Sequence, residues 1–295
     1  MTPLVLYCKS YSTDLLRLVR LAESVHKFNV DRLPFYVSVP RTELPLFYDY
    51  LQGLEVNLLA DEEIIEANPR IDSSIWARLP GNISQQIVKS EFWRLSLANT
   101  YLCLDSDSVF IKNFTVLDYL SASGIPYTVL TEATTLKYDA LVRDKFHIIE
   151  NFHREAKSVQ KFFGREGRAY SYGPMPMVWH RAVWESLDAQ YLKPKGLSFM
   201  DAILLAPLES RWYGEALLKF HAIQLLPCEP FFRVYHYAWQ KDLDGRLGIS
   251  NEQLAQIYSG VIYQSSWERE MDWPSEGGNK LSWLARRLRR KLGRV

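Results

Sequence analysis

The sequence predicts an α/β fold built around a mostly parallel sheet, and two stretches carry that expectation. The first is an alternation over residues 3–60. Pro3–Lys9 (PLVLYCK) reads as a strand, followed by a helix whose apolar stripe is Leu15, Leu18, Val19, Ala22 and Val25. Pro34–Pro40 (PFYVSVP) is a second strand, Thr42–Leu51 a second helix and Glu55–Ala60 (EVNLLA) a third strand. Strand and helix alternating at this spacing predict right-handed βαβ units and parallel pairing. The second stretch is Tyr101-Leu102-Cys103-Leu104, a wholly apolar run that ends on Asp105-Ser106-Asp107. Such a run bounded by polar residues suits a strand buried on both faces. In an open α/β sheet, ligands bind at the carboxyl ends of the strands, which is where these carboxylates fall.

The rest of the chain follows from the same signals. Ile83–Leu97 (ISQQIVKSEFWRLSL) predicts a helix leading into the Asp105/Asp107 strand, its C-terminal half nearer the ligand edge. Ile125–Glu132 predicts another strand, residues 135–168 a charged and largely helical region, and Ile223–Leu226 and Phe231–Trp239 late strands. Ser171–Trp179 carries two prolines and cannot be a central strand throughout. With no repeat and no clear linker, residues 1–278 are expected to form a single domain, with a βαβ half over 1–132 and a second, decorated half over 133–278.

Composition narrows the class. At 295 residues, 47% hydrophobic and 23% charged, the chain is of ordinary globular type. No run of 18 apolar residues exists, so no membrane-spanning helix is expected. The start of the sequence enters a strand with no signal-peptide pattern. Cys8, Cys103 and Cys228 are scattered in apolar surroundings, as reduced cysteines of a cytoplasmic protein would be. The net charge of +1 conceals a basic tail: residues 279–295 hold seven Lys and Arg and no acid, leaving 28 basic against 34 acidic residues elsewhere. An acidic body argues against nucleic-acid binding.

Asp105 and Asp107, with no Lys or Arg beside them in the sequence, would repel each other unless a cation intervened. Hard divalent ions such as Mn2+ and Mg2+ favour carboxylate oxygens and often complete their shells with substrate phosphates. Asp-Ser-Asp is also ordinary turn chemistry after a strand. Gln85, Gln86 and Lys89 share a helix stripe that by composition alone reads as a solvated face.

A set of segments in order resolves this. Cys8-Lys9-Ser10-Tyr11 with Asp14, Ser38-Val39-Pro40, Gln85-Gln86-x-x-Lys89, Leu104-Asp105-Ser106-Asp107-Ser108 and Glu209-x-x-x-Tyr213-Gly214 resemble those of the GT-A glycosyltransferases, and more narrowly an uncharacterised bacterial family of them. The resemblance implies a Rossmann-like GT-A fold and transfer of a sugar from a nucleotide-sugar donor, foremost a UDP-sugar, to a glycan or lipid-linked acceptor in surface-polysaccharide assembly. It implies Mn2+ or Mg2+ held by Asp105 and Asp107, with His236 as a further ligand. It implies donor contacts from Lys9, Ser10, Tyr11, Gln86, Lys89, Asp105 and Arg233. It also implies a catalytic acid/base at Glu209, with Asp201 as its rival. A nucleotidyl- or phosphotransferase using the same carboxylates would want a glycine-rich phosphate loop after the first strand, where Lys9-Ser10-Tyr11 stands instead. A binding module without turnover is the remaining alternative.

The tail, NKLSWLARRLRRKLGRV, places Leu281, Leu284, Leu288 and Leu292 on one helical face and cations over the rest. That is the pattern of a helix lying on an anionic membrane surface, and it predicts a protein peripheral to the inner membrane.

Overall fold

The computed structural model describes residues 3–236 and 238–264; the basic segment 279–295 lies outside the described residues. Strands form where short apolar runs fall between turn residues: β1 (Val5–Lys9), β2 (Phe35–Val39), β3 (Val56–Ala60), β4 (Thr100–Leu104), β5 (Ser108–Phe110), β6 (Tyr127–Val129), β7 (Met177–His180), β8 (Leu226–Cys228), β9 (Phe232–Tyr235) and β10 (Gly260–Tyr263). The central sheet runs β3-β2-β1-β4-β7. Its β1–β2, β2–β3 and β1–β4 pairs are parallel, and β7 closes the row antiparallel to β4, with Met177 opposite Cys103. This is the mixed, mostly parallel α/β architecture the sequence predicts.

β4 is buried along its whole length. An aromatic column carried by β7 and two helices packs against it. Tyr101 meets Trp179 edge-on at 5.9 Å between ring centroids, Trp179 meets Trp184 at 5.1 Å, and Trp184 meets Tyr213 at 5.0 Å. Tyr7 stacks on Phe92 at 3.7 Å and shares a hydrogen bond of 2.9 Å with the Ser38 hydroxyl. Offset and edge-on aromatic pairs add about 0.5–1.5 kcal/mol each beyond the area they bury. One apolar cluster runs from Leu4 to Ile262, so both halves of the chain pack on a common core.

Several elements differ from expectation. The helix before β4 spans Gly81–Glu91; a tight turn, Phe92–Leu95, then ends at Ser96 in the left-handed region (φ 56°). That helix borders the ligand edge from Gly81 to Lys89, most of its length and not its C-terminal half alone. β6 does not extend the central sheet; it pairs with β8. The late aromatic strand stops at Tyr235 because its partner β10 ends at Tyr263, and the helix Ala238–Arg246 takes Trp239 instead. β8 begins at Leu226, three residues later than the sequence suggests.

The segment Glu209-x-x-x-Tyr213-Gly214 has a packing reason. The Tyr213 hydroxyl accepts the His180 backbone N–H at 2.8 Å, pinning the helix Glu209–Phe220 to the end of β7. Gly214 faces the ring of Tyr172, where an added Cβ would lie 2.0 Å from the ring. The Tyr172 hydroxyl bonds Glu215 Oε1 at 2.9 Å, and Glu215 also receives Arg165 in a two-pronged pair at 2.5 and 2.7 Å. Neither partner at Gly214 has room to yield. Gly214→Ala is therefore expected to lower stability by roughly 1–3 kcal/mol in denaturant titration, the usual cost of forcing a methyl into a packed site. An unchanged midpoint would contradict the packing.

Candidate active site

The carboxyl edge of the central sheet opens into a cavity of about 1220 Å3. Following the sheet, its floor is Asp61 after β3, Pro40 after β2, Lys9 at the end of β1, Asp105 and Asp107 after β4, and Met177 at the start of β7. Parallel strands put these ends side by side, so the topology alone collects residues about 170 positions apart in the sequence.

Asp105 and Asp107 lie on the turn between β4 and β5, closed by the Ser108 N–H on the Asp105 carbonyl at 3.0 Å. Asp107 is buried, and its carbonyl accepts the Tyr263 N–H at 3.2 Å, fixing the turn to β10. Between them, the Ser106 hydroxyl donates to Ser10 Oγ at 3.1 Å, tying the turn to β1. A cation does reach the pair from elsewhere in the chain. Lys89, buried on the Gly81–Glu91 helix, places Nζ 2.6 Å from Asp105 Oδ1. Burial by itself lowers the pKa of such an ammonium. Asp105, supported by Cys103 and Glu209, outweighs it, so the net displacement is upward and Lys89 stays charged. The stripe Gln85, Gln86 and Lys89 thus faces the cavity rather than bulk water.

Glu209 begins the helix Glu209–Phe220 on the opposite wall. Its backbone N–H donates to Gln86 Oε1 at 3.4 Å, linking the two walls. Burial raises its pKa; Lys89 pulls it down and Asp105 pushes it up, and the net shift is upward. Gly173, Pro174, Met175 and Met177 complete this wall.

Other residues named from the sequence lie differently. Lys9 lines the cavity, but its ammonium is held 2.9 Å from Asp61 Oδ2 and 2.7 Å from the Ser10 carbonyl. Its charge is therefore matched within the protein. Ser10 is buried and bonded to Ser106, while Tyr11 is exposed at the cavity mouth. Arg233 is not among the cavity residues; it pairs with Asp244 at 3.5 Å and stacks on Tyr235, which removes it from a phosphate-binding position. Asp201 is also outside the cavity. It caps the helix Phe199–Leu205, its Oδ2 accepting the Ser198 N–H at 2.7 Å and hydroxyl at 2.6 Å, so the expectation of a rival base there is corrected. His236 follows β9 directly. Tyr235 pairs with Tyr263, which bonds Asp107, so His236 stands at the same edge two strands from Asp107.

Among the described residues no three His, Cys, Asp or Glu side chains converge as a ready-made metal cage. Asp105 and Asp107 nonetheless fit a hard divalent ion of the kind that takes one or two carboxylates and fills its shell with water and substrate phosphate.

Asp61 and Gln264 are among the cavity residues that the sequence pattern did not single out. Asp61 directly follows a strand, the same signal that marked Asp105, and it is 1% exposed. Burial raises its carboxyl pKa, while Lys9 and Ser38 oppose that rise. Gln264 has no local signal; it reaches the cavity only through the pairing of β10.

A family model described as a family of unknown function (DUF6492) matches residues 2–239. No curated protein sequence matches the chain. Among solved structures it is similar to the galactosyltransferase LgtC in complex with donor and acceptor sugar analogues. That match has 11% identity and a TM-score of 0.50, covering 98% of this chain and 95% of that one. An active-site mutant of LgtC matches at 11% identity and a TM-score of 0.52, over 96% and 95%. The bifunctional glycosyltransferase WbbM matches at 9% identity and a TM-score of 0.52, covering 90% of this chain and 46% of that one. At such identities the likeness is one of fold, and the fold is that of the GT-A glycosyltransferases.

The charged pairs differ in what they support. Lys9→Met leaves the buried Asp61 carboxylate without its counter-ion and is expected to cost on the order of 3–5 kcal/mol. Asp201→Ala removes one helix cap and costs about 1 kcal/mol. Denaturant titration of both variants tests the order; equal losses would contradict the buried Lys9–Asp61 pair.

Proposed function

The chain belongs to the DUF6492 family, and we propose that it is a metal-dependent glycosyltransferase moving a sugar from a nucleotide-sugar donor, foremost a UDP-sugar, to a glycan or lipid-linked acceptor. One observation carries the reading. Asp105, Asp107, Lys89 and Glu209, brought in by three different elements, meet in one cavity at the carboxyl edge of a GT-A sheet. The cavity exceeds what a single small ligand needs, and leaves room for donor and acceptor together.

Charge supports the need for a metal. The cavity is lined by seven carboxylates (Asp14, Glu43, Asp61, Glu62, Asp105, Asp107 and Glu209) against three cations (Lys9, Arg17 and Lys89). A diphosphate entering four net negative charges requires a further cation. Asp105 and Asp107 would hold Mn2+ or Mg2+; His236, two strands away at the same edge, is the further ligand that the resemblance implies. Bound there, the ion supplies Lewis-acid neutralisation of the departing diphosphate.

The protein's own groups divide the rest of the work. Lys89, permanently charged, balances Asp105 and fixes its carboxylate. Gln86 links the helix of Lys89 to the backbone of Glu209, setting the distance between donor and acceptor walls. Glu209 receives the proton of the attacking acceptor hydroxyl in an inverting reaction, or orients that hydroxyl in a retaining one. Its raised pKa keeps it a stronger base than an ordinary carboxylate once ionised. The lipid-linked acceptor, the role in bacterial surface-polysaccharide assembly and the anionic inner-membrane face reached through 279–295 complete the proposal. They draw on the sequence pattern of the tail.

Turnover of a panel of nucleotide-sugars with and without Mn2+ tests the reading. Asp107→Asn is expected to abolish metal-stimulated turnover, and Glu209→Gln to lower kcat by roughly 10²–10⁴ if it is the base. A base must be ionised, so the rate of the wild type should fall with decreasing pH already above the ordinary glutamate range, and Glu209→Gln should lose that limb. Full activity in the Asp107→Asn variant would overturn the proposal.

A further inference from the structure

The helix Ala238–Arg246 is packed in the reverse of the usual sense for a surface helix. Its buried side chains are polar: Gln240 is 2% exposed and Asp244 9%. Gln240 Nε2 donates to Asp139 Oδ2 at 2.5 Å, and Asp244 Oδ2 accepts the Tyr235 hydroxyl at 2.9 Å and pairs with Arg233. Its outward side chains include Leu243, 45% exposed, and one turn on, just past the helix end, Leu247 at 66%. A surface helix ordinarily turns its apolar stripe to the core. Buried polar groups beneath an exposed apolar face are therefore the informative case.

A neighbouring element repeats the pattern. The helix Thr134–Val142, joined to the first through Asp139, exposes Leu141 and Val142. Val142, Trp239 and Leu243 line a groove of about 470 Å3 between the two helices. Arg143 stacks on Trp239 at 4.6 Å, and Arg246 lines the same groove. The polar bonds beneath hold the helices together, and the aliphatic side chains above them face outward. Contiguous exposed apolar surface of this kind marks a contact with a partner or a membrane.

Place and charge choose between those. The helix Ala238–Arg246 starts three residues after β9 ends at Tyr235, whose carbonyl accepts the Gln264 N–H at 3.2 Å. Gln264 lines the active-site cavity, so the face begins beside the ligand edge, and the chain leading to 279–295 leaves Gln264 at that same point. Residues 279–295 hold seven Lys and Arg and no acid. The groove itself carries Arg143 and Arg246 against Asp242. An apolar patch fringed by arginine, next to a basic segment, complements an anionic bilayer: the aliphatic side chains enter the acyl boundary while the cations meet the headgroups. The tail itself is a poor occupant, because its cations would face those arginines.

We infer that the face formed by the helices Thr134–Val142 and Ala238–Arg246 docks on an anionic lipid bilayer, with Val142, Leu243 and Leu247 entering it. The body thus adds a contact of its own to that of the tail, and it holds the cavity edge beside the membrane. The inference rests on the lipid-linked acceptor of the proposed function and assigns the surface that reaches it.

Co-sedimentation of the full chain with vesicles of phosphatidylglycerol and phosphatidylcholine, against phosphatidylcholine alone, tests it. The wild type is expected to bind the anionic vesicles and not the neutral ones. Leu243→Ser/Leu247→Ser, shown folded by its melting transition, should weaken that binding about tenfold. Neither residue lines the active-site cavity, so nucleotide-sugar turnover in solution should stay unchanged. Should the pair fail to fold, Leu247→Ser alone, at the more exposed position, is expected to weaken binding about threefold. No binding to anionic vesicles, or equal binding to both kinds, would overturn the inference. So would anionic binding unchanged in the variant, whether because the tail alone carries it or because the tail or a second copy covers the face. Absence of turnover in the wild type would overturn the glycosyltransferase reading and leave the vesicle result to stand by itself.

Discussion

The ion pair between buried Lys89 and half-buried Asp105 is the constraint on which the site depends. β4 delivers two carboxylates to the sheet edge one residue apart, and the interior behind them is apolar. Unmatched charges there would be expelled or protonated. Lys89, reaching in from the preceding helix, holds the Asp105 carboxylate in place. Removing one partner of such a pair costs far more than the pair contributes net, because the other is left buried and uncompensated. The same logic recurs at the other end of the edge, where Lys9 answers Asp61. Two lysines thus let four carboxylates, Asp61, Asp105, Asp107 and Glu209, share one cavity, and they leave a negative surplus that favours a divalent ion.

The surrounding fold keeps that arrangement rigid. Ser106 bonded to Ser10, and Asp107 to Tyr263, clamp the carboxylate turn between β1 and β10. The opposite wall is fixed by Tyr213 on β7 and by the Tyr172–Glu215–Arg165 cluster beneath Gly214. Glu209 therefore sits on a helix whose first turn cannot drift relative to Asp105, and the link from Gln86 to its backbone N–H spans the gap.

Much of this was legible in the sequence, and the failures share a cause. The βαβ series and the Asp105/Asp107 strand end could be read because both depend on local apolar patterning. Asp61 carries the same local signal, an acid directly after Glu55–Ala60, and was passed over only because its partner Lys9 lies 52 positions earlier. Lys9 and Arg233 read as donor contacts with free charges because a lone cation in a sequence shows no partner; folding supplies Asp61 to one and Asp244 to the other. Asp201 was misread for a different reason: Ser198-x-x-Asp201 is a capping box visible in four residues. Glu209 and Gly214 could be singled out only by resemblance, since the reasons for them, the Gln86 contact and the Tyr172 ring, lie far away in the chain.

The central claim is that the Asp105/Asp107 turn clamps a divalent ion against the diphosphate of a nucleotide. A crystal grown with Mn2+ and a nucleoside diphosphate, with data collected at the manganese edge, tests it most directly. The account predicts an anomalous peak bonded to the Asp107 carboxylate and to phosphate oxygens. A nucleotide bound away from this edge, or a peak not touching Asp105 or Asp107, would contradict it.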